Sequence, residues 1–159
     1  MLQVHFNEED VPQPNQPWLP SVHGVVLGEK DSVLLHRRED SSLLAFPGGK
    51  LELGESLSHC LVREMHEETG LQVKPKKLLG VFSSPKYVLS IGEMYFQPLL
   101  FTFLCEVESG KLELGSESVA FHWATQKDID ELETFPLVKE IAKFVWKDTG
   151  DAFFDIQSL

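Results

Sequence analysis

The chain alternates short apolar runs with polar breaks over most of its 159 residues. "SVHGVVLGEK" and "SVLLHRRED" are β-branched and apolar runs separated by residues 28–31, a spacing that predicts a hairpin. "LLAFPGGK" predicts a short strand running into a glycine turn. "LQVKPKKLLGVFSS" predicts a strand interrupted by proline, and "MYFQPLLFTFLCEV", rich in aromatic and branched residues, carries the strongest strand signal. "ESVAFHWA" adds a further strand. Helical spacing takes over at residues 56–69, where Leu57, Leu61 and Met65 recur at i, i+4 and i+8. Ser56 is placed to cap that helix, and Gly70 to end it by tolerating positive φ. "TQKDIDELE" and "FPLVKEIAKFVWKD" predict closing helices, the second with Leu137, Ile141, Phe144 and Val145 on one face.

Residues 1–20 hold Pro12, Pro14, Pro17 and Pro20, which remove amide donors and favour extended backbone. They predict an arm laid on the surface or crossing to a partner subunit, ahead of a body at 21–159. The chain shows no internal repeat. Strands flanked by helices predict one domain of the α/β or α+β class, layered around a sheet.

Composition narrows the function. Hydrophobic residues make up 42%, enough for a packed core. No apolar run approaches the roughly 20 residues that span a bilayer, and the N-terminus lacks the basic start and apolar stretch of a secretory signal. Two cysteines, Cys60 and Cys105, make neither a disulfide framework nor a zinc-binding pair, so a reducing, cytoplasmic setting is expected. A net charge of −11 disfavours nucleic acid and anionic membranes as partners. A small phosphorylated ligand stays open, because a bound metal reverses the local field.

The helix at 56–69 carries the chemistry. Glu64, Glu67 and Glu68 stand at i, i+3 and i+4, on one face. Such carboxylates repel and raise one another's pKa unless a cation sits among them. A solvated acidic face is the ordinary reading of a charge run. The flanks tilt the balance, for Pro47, Gly48 and Gly49 form a tight turn just before it, and Glu55 precedes the helix. Arg63 is expected to point away from the three glutamates and to bond Glu67 or a loop acid.

Gly49, Glu55, Arg63, Glu64, Met65, Glu67, Glu68, Gly70 and Leu71 spell G-x5-E-x7-R-E-U-x-E-E-x-G-U, with U a bulky aliphatic residue. This resembles the box of the Nudix hydrolases, and the order of elements over residues 22–147 resembles the family's α/β/α sandwich, a mixed sheet flanked by helices. The resemblance implies hydrolysis of a nucleoside diphosphate linked to a group X with Mg²⁺ or Mn²⁺. It implies Glu67 and Glu68 as main metal ligands, Glu64 as a further ligand or the base, and the Gly49 carbonyl as a backbone ligand. Glu55 and Arg63 become supports of the loop and helix. Glu117, in "GSESVAFHW", matches a loop that bears an extra glutamate in relatives and is the second candidate base.

The group X is less legible. "AFPGGK" resembles a segment of MutT-like nucleoside triphosphatases, which makes a nucleoside triphosphate the expected substrate. Pro85 and Tyr87 lie near spacings associated with ADP-ribose and dinucleoside polyphosphate hydrolases, so those substrates, and nucleotide sugars, are the alternatives. Phe46 and Tyr87 are candidates to stack on a base, with Phe82 and Phe96 behind them. Strand alternation lets only one of Arg37 and Arg38 face the site side; Arg37 is the candidate for a terminal phosphate, against the ordinary reading of a solvated arginine. His59 and His66 are expected on the surface, Cys60 buried and inert, and Lys74 to Lys77 solvated. A non-catalytic nucleotide sensor and an RNA-end pyrophosphohydrolase are the rival classes. Relatives in the family are often dimers, so a homodimer exchanging the arm is compatible with the chain.

Overall fold

The computed structural model describes residues 1–6, 8–147 and 150–154. Strands β1 (Leu2–Phe6), β2 (Leu19–Val26), β3 (Val33–Arg38), β4 (Leu44–Ala45) and β5 (Gly48–Lys50) lead to helix α1 (Leu57–Thr69). Then come β6 (Leu71–Phe82), β7 (Tyr87–Ile91), β8 (Met94–Phe96), β9 (Pro98–Gly110) and β10 (Ser118–Ala124). Helices α2 (Gln126–Glu131) and α3 (Pro136–Val145) and strand β11 (Phe153–Phe154) complete the chain. None of the described helices is long and apolar enough to cross a membrane.

The central sheet runs β11-β6-β9-β2-β5 and is mixed: β2 pairs parallel with β9, while β6–β9 and β2–β5 are antiparallel. Strand alternation sends side chains to two cores. Val22, Val26 and Leu34 face α1 with Cys60, Leu61 and Met65. Val25, Val33 and Leu35 face α2 and α3 with Ile129, Leu137, Val138 and Ile141. The result is the α/β/α sandwich that the order of elements implies.

Several local expectations hold. The Ser56 hydroxyl accepts the His59 amide at 3.2 Å, and Gly70 ends α1 in the left-handed region at φ 73°. Helix α2 starts on a pairing that was not foreseen, Thr125 N and Oγ1 donating to Asp128 Oδ2 at 2.9 and 2.7 Å. Pro75 sits at a register shift between β6 and β9, where a missing amide is tolerated.

Others do not hold. β2 and β3 form no hairpin: only an isolated Leu27–Val33 bridge joins them. The edges of β2 are taken by β9 and β5, and β3 pairs with β10 and β4. The "MYFQPLLFTFLCEV" run breaks at Gln97 into two strands of different sheets. Part of the N-terminal arm, Leu2–Phe6, is a strand and not only an extended surface segment. β1 pairs antiparallel with β7, itself unforeseen, in a separate sheet ordered β1-β7-β8.

Candidate active site

Helix α1 presents its three glutamates at graded depths. Glu67 is exposed, Glu64 is largely covered, and Glu68 is buried at 4% exposure. The depth follows from rotation about the helix: Glu68 follows the buried Leu61 and Met65 stripe, whereas Glu67 lies a residue further out.

Burial holds the Glu68 carboxyl well above the usual carboxylate range, at about 8, with Glu64 and Glu117 adding repulsion. The Gly48 amide, donating to its Oε2 at 2.7 Å, and Arg38, 3.9 Å from its Oε1, oppose that rise. Gly48 reaches this position at φ 148°, where a Cβ would strike the Val22 carbonyl oxygen at 2.0 Å. Its neighbour Gly49 gives close approach of another kind. A Cβ there would lie 2.4–2.6 Å from the Glu64 carboxyl atoms.

Arg63 does not point away from the glutamates. Its Nε and Nη2 grip Glu55 at 2.6 and 2.9 Å, while Nη1 donates to Glu64 at 2.7 Å and to Glu67 at 3.2 Å. Nη2 also reaches the Lys50 carbonyl at 3.3 Å. Glu55 accepts the Glu52 amide as well, and the arginine first, then that amide, hold its carboxyl down at about 2. Burial raises the Glu64 carboxyl, with Arg63 opposing. The arginine therefore ties the loop before the helix to two of the helix carboxylates.

Glu117 comes to the same place from the other side. The loop before β10 docks on the end of α1, with the Glu113 amide donating to Thr69 O at 2.9 Å. Glu117 is exposed and lies 3.5 Å from Arg38. Together Glu64, Glu67, Glu68, Ser116 and Glu117 border a void of about 40 Å³. Among the described residues no three potential ligands converge as a ready cage. Glu64 and Glu67 are turned to Arg63, and Glu68 to the Gly48 amide. The donor set nonetheless fits a hard divalent cation: it is all oxygen, and Arg38 and Arg63 cannot neutralise Glu55, Glu64, Glu67, Glu68 and Glu117 together. The void exceeds the roughly 10–15 Å³ that one water needs.

A cleft of about 860 Å³ opens beside this cluster. Gly49, Glu64, Glu117 and Arg38 line one part of it, and Leu2, Leu19, Tyr87, Leu89, Ile91 and Phe96 another. Tyr87 thus stands on the cleft, largely buried, and burial raises its phenol pKa. Phe46 also borders the cleft but is fully buried in the core, so its ring packs there and is not open to solvent. Arg37 is a correction, since its Nη1 donates to the Ser42 carbonyl at 2.5 Å, and Arg38 takes the site side. Alternation decides this, because Arg38 shares a strand face with Leu34, which packs on α1. Phe82 packs with Phe144 and Phe153.

His59 and His66 are exposed, and Cys60 is buried, its thiol pushed up to about 12 by burial. Of the basic cluster, Lys76 pairs with Glu106 at 2.8 Å. His36 was not signalled by any motif. It is fully buried, with Nδ1 2.6 Å from the Ser118 hydroxyl and Nε2 3.6 Å from Glu68 Oε2. Burial, then Arg38, lowers its pKa to about 4, so it is neutral. A polar residue at an inward position of an apolar strand was the available signal.

The family model for the NUDIX domain matches residues 17–145. The chain is 31% identical over 134 residues to a Bacillus subtilis (strain 168) protein named "Uncharacterized Nudix hydrolase YvcI", covering 84% of this chain and 83% of the relative. It is 37% identical over 107 residues to an "ADP-ribose pyrophosphatase" of Methanocaldococcus jannaschii, covering 62% of this chain and 56% of that protein. A MutT protein from Bacillus halodurans superposes with a TM-score of 0.65 at 30% identity, covering 82% of this chain and 84% of that one. The chain belongs to the Nudix family. It is a hydrolase of that family, whose members generally need a divalent metal and act on small nucleotide substrates.

Proposed function

We propose that this chain is a Mg²⁺- or Mn²⁺-dependent pyrophosphohydrolase that cleaves a nucleoside triphosphate. The observation that carries the reading is a cleft lined both by Glu64 and Glu117, which also border the void at Glu67 and Glu68, and by an apolar, aromatic wall. A nucleotide has that polarity, anionic at one end and apolar on the faces of its base. Glu67, Glu68 and the Gly49 carbonyl would hold the cation, with Glu64 as a further ligand. When bound, it would neutralise phosphate charge and lower the pKa of a coordinated water.

The chain's own groups supply the rest. Arg63 fixes the loop through Glu55 and sets the positions of Glu64 and Glu67. Arg38, held by Asp40 at 2.8 and 3.0 Å with Nη1 3.9 Å from Glu68 and Nη2 3.5 Å from Glu117, lines the cleft and would meet a phosphate oxygen there. Glu64 and Glu117 both border the void and are the two candidate bases. We assign the proton transfer to Glu117, because Glu64 is already engaged by Arg63 and pressed against Gly49.

ADP-ribose is the second reading, favoured by the relative that bears the name ADP-ribose pyrophosphatase. A panel of nucleoside triphosphates, ADP-ribose, nucleotide sugars and dinucleoside polyphosphates, each with Mg²⁺ or Mn²⁺ and with products resolved, separates them. A nucleoside monophosphate and pyrophosphate are expected from a triphosphate. Saturable nucleotide binding with no product under either metal would refute hydrolysis and favour a sensor.

A further inference from the structure

The strand β1 lies outside the region matched by the family, which begins at residue 17, yet it takes part in the cleft. Its register explains how. Leu2 pairs with Ile91, Val4 with Leu89 and Phe6 with Tyr87. Leu89 in turn pairs with Phe96 on β8. Residues two apart share a face, so these pairs form one continuous surface, and Leu2, Tyr87, Leu89, Ile91 and Phe96 of that surface line the cleft.

The arm is fastened at two further points after Leu2. His5 Nε2 lies 3.1 Å from the Ser90 hydroxyl, on the opposite face. Further along, Asn15 clips the β7–β8 turn: its Nδ2 donates to Glu93 O at 2.8 Å, and its Oδ1 accepts the Tyr95 amide at 2.8 Å. Leu2 itself is placed by its ladder pairing with Ile91.

We propose that β1 is a specificity-determining wall and that Leu2, with its partner Ile91, packs on the nucleobase of the substrate. This rests on the nucleotide reading of the site given above. The surface carries no cation, which disfavours phosphate there, and its aliphatic and aromatic groups match the faces of a base. The cations of the cleft, Arg38 and Lys50, line it together with Gly49 and Glu64. The phosphates therefore belong with the carboxylates and the base with the arm. Because the arm stands outside the matched domain, it can set base preference without altering the hydrolytic groups.

The test uses the full chain. Leu2→Ser and Ile91→Ser are compared with Gln3→Ala, which changes the opposite face of β1. Substrates are ATP and GTP, against inorganic tripolyphosphate, which has the same anhydride and no base. The serine variants are expected to raise KM for the nucleotides about 3- to 10-fold, the size of a partly lost leucine contact. They should leave kcat within twofold and tripolyphosphate kcat/KM unchanged, and Gln3→Ala should move nothing. Equal loss on all three substrates, or no change on any, overturns the proposal. If the wild type cleaves none of them, the nucleoside triphosphate reading fails, and the wall is judged by AMP and GMP binding in equilibrium dialysis. Weaker binding by Leu2→Ser than by Gln3→Ala then supports it, and equal or absent binding ends it.

Discussion

Glu68→Gln separates what the buried carboxylate does for the fold from what it does for turnover. In the metal-free protein this acid has a folded pKa of about 8 against an ordinary 4.5, chiefly through burial. Below pH 4.5 it is protonated in both folded and unfolded chains and has no effect. As pH rises from 4.5 towards 8, the unfolded chain gives up the proton while the fold retains it. Stability falls by about 1.4 kcal/mol per pH unit over that window and then levels off. The limit is roughly 5 kcal/mol, and relaxation around the carboxylate reduces it. Glutamine is isosteric and neutral, and its carbonyl can still accept the Gly48 amide. The variant should thus be the more stable one in EDTA at pH 8, by about 2–3 kcal/mol, or about 5–10 °C in Tm. The two should melt together at pH 4.5. Turnover with Mg²⁺ should fall more than about 100-fold, since a ligand that stabilises transition-state charge is worth several kcal/mol. Scanning calorimetry with and without EDTA, paired with product assays, makes both measurements. A variant that melts below the wild type at pH 8 in EDTA, or that keeps wild-type rates, would refute the reasoning.

Two further changes probe the supports. Gly49→Ala places a methyl against the Glu64 carboxyl; turnover should drop about 10- to 100-fold while Tm shifts little, and a matched pair of rate and melting measurements checks it. His36→Leu removes the imidazole between Ser118 and Glu68; Mn²⁺ affinity, followed by electron paramagnetic resonance, should weaken about 10- to 100-fold, with partial recovery in His36→Gln.

The parts legible in the sequence were those set by neighbours along the chain. Helix α1 was readable because its apolar stripe, its Ser56 cap and its Gly70 stop all lie within one helix length. Its three carboxylates followed from the same periodicity. For Arg63 the bonds to Glu67 and to a loop acid, Glu55, were foreseen, but its turn towards the glutamates was not: helical projection places a Cα, whereas the guanidinium that reaches back to Glu55 also collects Glu64 on the way. The missing hairpin between β2 and β3 has a similar origin. The parallel partner of Leu19 is Pro98, and no local pattern announces a strand that distant. β1 and β7 are short, and each has its partner some 85 residues away in the chain, so the arm's part in the cleft was invisible until the register was known. Phe46 illustrates a limit of residue type. An aromatic ring on a strand is core more often than a stacking platform, and Phe46 packs in the core at the border of the cleft.

The acidic helix poses the decisive contrast between a solvated surface and a cation site. A solvated face would leave all three carboxylates in water, where each costs nothing and a neighbouring arginine adds little. Glu67 fits that description. Glu68 does not, for it is buried beneath the Gly48 turn with a raised pKa and only partial compensation from Arg38. A fold gains nothing in stability from an uncompensated carboxylate at that depth. A cation bound to the folded chain, as proposed above, would offset that cost and would make the stability of the protein rise with cation concentration. The burial of Glu68, more than the number of glutamates in the helix, is therefore what argues for a metal at this site.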